Sequence, residues 1–259
     1  MTKNTSFTNR LFALLDCFSP QHPEIGVREA ARMLNISSSS CGRLMSEMRN
    51  EGVLTQNPES RLYSLGGRVI RWAGVYLASS DLCSISLPLM KSLFKEVNET
   101  VILYVVEGDE RVCVERFESF QNIRIVESIG LRLKLYAGSG GQAILAFMGE
   151  AEIERILALA AKEIQSDDIA EELRIIRNQL EETRRKGYAV SHGQWLSGAS
   201  GIAAPIFDQR GRPIGSISIS GPSDRFQSQE KIQKYADLLL PAVEKISYEM
   251  GYSSGFTSV

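Results

Sequence analysis

The sequence predicts an α+β protein: an N-terminal winged helix-turn-helix, a linker helix, and a larger C-terminal domain with an antiparallel or mixed sheet and flanking helices. Three observations predict it. Two short helical stripes meet at Asn35, and the second opens on Ser37-Ser38-Ser39-Ser40. A hairpin pattern follows, with Asn57-Pro58-Glu59-Ser60 at its tip. Beyond residue 81, helical and strand-like runs succeed one another without the strict alternation of a parallel sheet.

The elements follow in order. Thr8–Ser19 reads as an amphipathic helix with Leu11, Leu14, Leu15 and Phe18 on one face, ended by Pro20 and Pro23. Val27–Leu34 is a short helix in which Ala31 is small enough for a close helix crossing. Asn35 stands where the chain must reverse, and asparagine tolerates the left-handed conformation better than most residues. The second helix of the pair buries Cys41, Leu44, Met45 and Met48 at i, i+3, i+4 and i+7. Ser37 or Ser38 caps it. Gly52–Thr55 and Arg61–Leu65 make the wing.

That geometry leaves Ser39, Ser40, Gly42, Arg43 and Ser46 off the buried stripe, at the end of the helix that enters the major groove in such motifs. Short hydroxyls bond phosphates or base edges, and Arg43 is a long donor suited to guanine or phosphate. With Arg28 in the preceding helix, Ser38 at the cap and Arg61 in the wing, these form the expected contact set for double-stranded DNA. An ordinary helical pair with a surface serine cluster is the alternative reading.

After Gly66-Gly67, residues 68–78 are apolar nearly all round except for Arg68 and Arg71, which predicts a linker helix packed on another subunit. The expected domains are 1–65, the linker 66–81, and 82–259. In the last, helices are expected over 84–98, 142–148 and 167–186 (one more lying between the last two) and over 228–250, with a bend at Pro241. Strands are expected over 100–106, 112–117, 123–127, 188–192, 201–207 and 213–220. Arg184-Arg185-Lys186 before Gly187 reads as a helix C-terminal cap more readily than as a phosphate site.

Whole-chain properties set bounds. The 259 residues, 43% hydrophobic and 23% charged, exceed one typical domain and describe an ordinary globular chain. No apolar run approaches the ~20 residues that span a bilayer, so neither a membrane partner nor a signal peptide is expected, and a cytoplasmic location is. Cys17, Cys41, Cys83 and Cys113 lack zinc or thioredoxin spacing and read as reduced structural thiols. Net charge is −2, but residues 1–80 carry nine Lys/Arg against six Asp/Glu while the remainder carries twenty against twenty-five. A mildly basic first domain on an acidic second one suits a DNA module joined to a partner that avoids DNA.

Chemistry in the second domain centres on two features. Ser216, Ser218 and Ser220 share one strand face opposite Ile217 and Ile219, a pattern that equally describes a solvent-facing side. Ser139-Gly140-Gly141 opens a helix, whose N-terminal N–H groups attract anions. Together they suit a small carboxylate. The fingerprint Gly138-x-Gly140-x-x-Ala143 also matches a dinucleotide turn, but no second parallel strand or ribose-binding acid follows, so no cofactor is expected. His192 and Trp195 lie near this region as candidate ligand contacts, each with a packing role as the alternative. No catalytic constellation and no metal spacing is visible.

With these residues in hand, the chain resembles bacterial IclR-type transcriptional regulators over nearly its full length. The resemblance is carried by Ile36–Leu44, Tyr63-Ser64-Leu65-Gly66, Ala137–Ala146, Gly187-Tyr188-Ala189, Gly198, Ile202–Ile206 and Ser218-Ile219-Ser220-Gly221-Pro222, in order and spacing. It implies a GAF-like effector domain, dimers or tetramers, and operator DNA as partner, with small organic acids or aromatic compounds as effectors. It places the effector pocket at Leu131, Leu133, Ser139, Gly140, Ser191, Gly201, Ser218 and Ser220. The chain departs from the family where a lysine is usual (Gln142), where acids are usual (Ser191, His192, Gly193), and at Gly42, where relatives often carry a larger side chain. Repression and activation stay open. So do two other classes: a small-molecule-binding enzyme built on residues 84–250, and a sensor acting only through protein contacts.

Overall fold

The computed structural model describes residues 7–19, 22–79, 81–166 and 168–253, without the side chains of residues 76–79. The chain divides into two compact units, Met1–Ser79 and Ser80–Val259.

The first unit contains α1 (Phe7–Leu15), β1 (Glu24–Ile25), α2 (Val27–Leu34), α3 (Ser38–Asn50), β2 (Leu54–Gln56), β3 (Tyr63–Leu65) and α4 (Gly67–Ser79). Leu14, Ala30, Ala31, Cys41, Leu44, Met45 and Met48 form its core with Val53, Leu54 and Tyr63. Asn35 is left-handed at φ 52°, and its N–H and that of Ile36 close the end of α2 on Arg32 and Ala31. The wing holds one strand more than expected: β1 pairs with β3, giving the order β1-β3-β2. Two residues with one inward side chain carry no period to read. Gly66 is required by contact, since a Cβ there would lie 2.4 Å from the Gly52 carbonyl oxygen. The helix expected as a linker runs from Gly67 and clusters with this unit. Val69 packs on the core, while Ile70, Trp72 and Val75 are exposed.

The second unit is built on a six-stranded antiparallel sheet of β4 (Thr100–Glu107), β5 (Glu110–Phe117), β6 (Arg132–Lys134), β7 (Ala189–His192), β8 (Ala199–Phe207) and β9 (Pro213–Pro222), in the order β6-β5-β4-β9-β8-β7. One face carries Val101, Leu103, Ile202, Ala204, Ile217 and Ile219 against α5 (Asp81–Val97) and α9 (Gln229–Glu249), the main core. The other face receives α6 (Gly138–Leu145), behind which lie α7 (Glu150–Glu163) and α8 (Ile169–Lys186). The sheet is antiparallel throughout. Asp167, expected to open α8, is outside the described residues; Asp168 caps it through Glu171 N–H at 3.0 Å. Gly187 ends α8 at φ 78°, and Arg184 and Lys186 engage Ala146 O, Glu150 and Glu182. That is capping chemistry. α9 passes through Pro241 as helix.

One expected strand is absent. Residues 124–127 alternate outward and inward as a strand does, with Ile125 and Glu127 buried and Val126 exposed, while Ile123 is exposed. Yet side chains take their carbonyls: Thr100 Oγ1 donates to Ile125 O at 2.7 Å, Arg225 to Ile123 O at 3.0 Å, and Arg116 to Glu127 O. The ladder position beside β5 goes to β6 instead.

Glu99 is 1% exposed and meets Arg225 through two 2.7 Å bonds. Among the described residues, Arg225→Ala leaves only Lys231, 3.9 Å away, as a cation for this buried carboxylate. It is expected to cost about 3 kcal/mol in a denaturant titration; a loss of a few tenths would show that the pair carries little of the stability.

Candidate functional site

In the first unit the polar face of α3 is fixed by its cap. Ser37 Oγ accepts from Ser40 N at 3.2 Å and contacts the hydroxyls of Ser39 and Ser40 at 3.1 and 2.9 Å. Ser38, Ser39 and Ser40 are exposed, Ser46 is half-buried, and the Arg43 side chain is 85% exposed, 3.8 Å from Glu47. Such an exposed i, i+4 pair is worth only about 0.3–0.5 kcal/mol and yields easily to a phosphate. Arg28 is exposed on α2. Arg61 is exposed on the wing at φ 61°, a conformation costing a non-glycine residue roughly 1–2 kcal/mol. Gly42 departs from the expectation: a Cβ there would lie 3.4 Å from Val27 Cγ1, so the position faces α2 rather than outward. The i, i+3, i+4 stripe did not exclude it, because the edge of α3 nearest α2 is fixed by the crossing and not by hydrophobicity.

In the second unit the serine face is not solvated. Ser216, Ser218 and Ser220 are buried beneath α6. Ser216 Oγ donates to Gly140 O at 2.9 Å, Ser139 N–H donates to Ser191 Oγ at 2.9 Å, and the hydroxyls of Ser218 and Ser220 are 3.0 Å apart. The glycines of the turn serve this approach. A Cβ at Gly140 would lie 2.7 Å from the Tyr104 ring, one at Gly141 2.5 Å from Leu135 O, and one at Gly201 3.0 Å from Ser139 Oγ. Between α6 and the sheet lies a pocket that Ser139, Gly140, Ser191, Gly201, Ser218, Ser220 and Trp195 all line, as expected from the sequence. Its cavity volume is about 10 Å³, room for one water.

Three expected residues lie elsewhere. His192 is exposed and its Nδ1 is 3.1 Å from Ser200 Oγ. Strand alternation turns Ser191 toward α6 and His192 the other way. Leu131 and Leu133 pack on Ile102, Tyr104 and Cys113 beside the pocket but do not line it.

Four polar lining residues were not foreseen: Tyr104, Arg111, Glu127 and Ser200. Arg111 is 1% exposed. Its Nη1 donates to Lys134 O and Ala137 O at 2.6 and 2.7 Å, and its guanidinium lies 4.9 Å from the centre of the Tyr104 ring. Tyr104 O–H donates to Glu127 Oε2 at 2.5 Å. Burial raises the Glu127 carboxyl above its ordinary value, against the opposing pull of the Tyr104 bond and of Arg111 and Arg116. Burial likewise raises Tyr104 well above a normal phenol, and the neighbouring Cys113 thiol to about 12. Cys17, Cys41 and Cys113 are buried free thiols. No local signal singled Arg111 out, since its strand also carries Glu110, Glu115 and Arg116.

A winged helix-turn-helix unit joined in one chain to an α+β unit with a small polar pocket defines a DNA-binding protein with a sensor domain. Comparison with known proteins agrees. Residues 8–58 match the IclR helix-turn-helix domain, and residues 74–248 match the bacterial transcriptional regulator IclR C-terminal domain. The chain belongs to the IclR family of bacterial transcriptional regulators. The HTH-type transcriptional regulator KdgR of Escherichia coli is 29% identical over 243 residues, covering 94% of this chain and 92% of KdgR. The crystal structure of the Thermotoga maritima IclR is 28% identical, with a TM-score of 0.77 over 95% of this chain and 98% of that one. An IclR homolog from Microbacterium hydrocarbonoxydans, solved with 4-hydroxybenzoate, has a TM-score of 0.81 at 24% identity over 95% and 99% of the two chains, a likeness of fold. The family is one of regulators, which sets aside the enzyme reading, and the helix-turn-helix match sets aside a sensor acting only through protein contacts. Among the described residues, no helix is long and apolar enough to cross a membrane.

The raised Glu127 carboxyl has a stability consequence. A folded-state value above the unfolded one stabilises below the ordinary carboxylate range, and that contribution is lost as pH rises through the folded value. Glu127→Gln removes this dependence. Its stability relative to wild type is therefore expected to climb as pH rises from about 4 to 8; a flat difference in paired thermal melts would show that Glu127 is not held against ionisation.

Proposed function

We propose that the chain, as a cytoplasmic dimer or tetramer, binds an operator through α3 and the wing, and that a small molecule in the α6 pocket changes that binding. The observation that carries the DNA side is the division of α3. Cys41, Leu44, Met45 and Met48 are buried, whereas Ser39, Arg43 and Ser46 lie on the other side beside a serine cap. Arg28, Ser38, Ser40 and Arg61 extend the polar set. Gly42 contributes closeness of α2 and α3 rather than a base contact. Self-association is supported by the exposed apolar side chains Ile70, Trp72 and Val75 on one short helix, more than a monomer usually leaves in contact with water.

The effector side rests on the buried serines, the first turn of α6 and Arg111. A carboxylate suits these groups, since hydroxyls and helix N-terminal N–H groups donate without repelling an anion. The ligand of the M. hydrocarbonoxydans homolog, 4-hydroxybenzoate, is also a carboxylate.

Arg43→Ala is expected to weaken binding to the chain's own upstream DNA by about 1–3 kcal/mol with the fold intact. Fluorescence anisotropy titrated at several salt concentrations, with the number of chains per site read from the same curve, is the test. Unchanged affinity in a folded variant would overturn the recognition-helix reading, and one chain per site would overturn the dimer.

A further inference from the structure

The pocket contains two buried polar groups that the protein itself leaves unsatisfied. Arg111 Nε and Glu127 Oε1 are both buried without a hydrogen-bond partner among the described residues. A buried donor or acceptor without a partner costs about 1–3 kcal/mol, more when charged. Both residues line one small cavity, where an incoming molecule could supply what is missing.

The two groups differ in what they demand. Arg111 commits Nη1 to the carbonyls of Lys134 and Ala137. Neither Nε nor Nη2 has an acceptor among the described residues. That free edge is the pair of parallel N–H groups that matches the two oxygens of a carboxylate. No carboxylate of the described residues lies within ion-pair distance of Arg111, and Glu127 acts on it only from further away, so the free edge is open to an outside anion. Glu127 presents the opposite need. Its Oε2 receives the Tyr104 hydroxyl at 2.5 Å, and Oε1 is left to face a ligand group. A ligand hydroxyl fits Oε1 in either protonation state, because it both donates and accepts. An ammonium only donates, and would need further acceptors for its remaining protons.

We propose that the pocket selects a small hydroxycarboxylate, whose carboxylate lies on the Nε–Nη2 edge of Arg111 and whose hydroxyl bonds Glu127 Oε1. Ser218, Ser220 and Ser191 supply neutral hydroxyls around the same molecule. This rests on the reading of the pocket as the effector site and names the chemistry it accepts. The cavity holds no more than a water as it stands, so entry displaces a wall. Trp195 is the wall placed to move: it lines the pocket against Gly138, on a segment bounded by Gly193 at φ 66° and Gly198 at φ 80°.

The test uses the full chain carrying Trp72→Phe, so that Trp195 alone reports by fluorescence. Glycolate, glycerate and gluconate are titrated beside acetate, propionate and hexanoate, and beside glycerol, with calorimetry in parallel. At least one hydroxycarboxylate should bind, shift Trp195 emission and exceed its deoxy counterpart and glycerol by about tenfold or more, the cost of leaving one buried group unpaired. Glu127→Leu should reduce that preference to about twofold while retaining carboxylate binding. Arg111→Lys, which keeps the charge and loses the fork, should weaken every carboxylate by about tenfold. Equal affinity for hydroxy and deoxy acids, or no binding of any hydroxycarboxylate at millimolar concentration, overturns the hydroxyl assignment. If a deoxy or aromatic acid shifts Trp195, the effector pocket itself stands. A ligand that binds in calorimetry without moving Trp195, and equally in Glu127→Leu and Arg111→Lys, overturns both.

Discussion

One buried guanidinium organises the sensor unit. Arg111 sits in the second-last strand of the sheet at 1% exposure, where an isolated cation would cost several kcal/mol. Its charge is met by two carbonyls and an aromatic face rather than by a carboxylate. Those carbonyls, Lys134 O and Ala137 O, lie at the end of β6 and immediately before α6. The same interaction therefore fixes the strand edge and the start of the helix that roofs the pocket. The glycines at 140 and 141 follow from it. Any side chain there would strike Tyr104, Leu135 or the guanidinium itself. The glycine-rich turn is a packing requirement around Arg111, not a phosphate cradle.

Close packing of this kind leaves a pocket with little empty space and a high density of polar atoms. Tyr104, Glu127, Ser218 and Ser220 line it in place of the aliphatic residues that cover the other sheet face. The sheet thus has two characters on alternate residues. Val101, Leu103, Ile217 and Ile219 hold the unit together, while Tyr104, Ser218 and Ser220 line the pocket and Ser216 bonds α6. Such a lining offers fixed donors and acceptors rather than apolar area, the composition that favours chemical selectivity. The DNA-binding unit follows the same division on a helix: four buried residues fix α3, and the cap-bonded serines and Arg43 are left exposed.

Much of this was legible in the sequence. The α3 stripe, the left-handed Asn35, the Ser37 cap and the opposed faces of β9 all follow from period and residue type, because each is decided within a few residues. Seven residues expected at the pocket line it, since the serine row and glycine turn are local signals. What escaped depends on contacts between distant segments. Arg111, Tyr104 and Glu127 meet through register and through a loop that sequence period reads as a strand. His192 was misplaced by proximity along the chain, although strand alternation turns it to the opposite face from Ser191. Leu131 and Leu133 lie one layer behind the lining, where a residue-by-residue transfer from relatives does not separate wall from support. Gly42 faces α2 because of helix crossing, which the stripe alone does not fix.

The claim on which this account turns is that Arg111 holds the first turn of α6 against the sheet. Hydrogen exchange of the Arg111→Lys chain, compared with wild type, tests it directly. The account predicts faster exchange in residues 138–145, where the lost guanidinium bond frees the helix start, with residues 38–50 of the DNA-binding unit unchanged. Equal protection of residues 138–145 in both proteins would contradict it, showing that the pocket roof is held by the surrounding sheet and helices without the arginine.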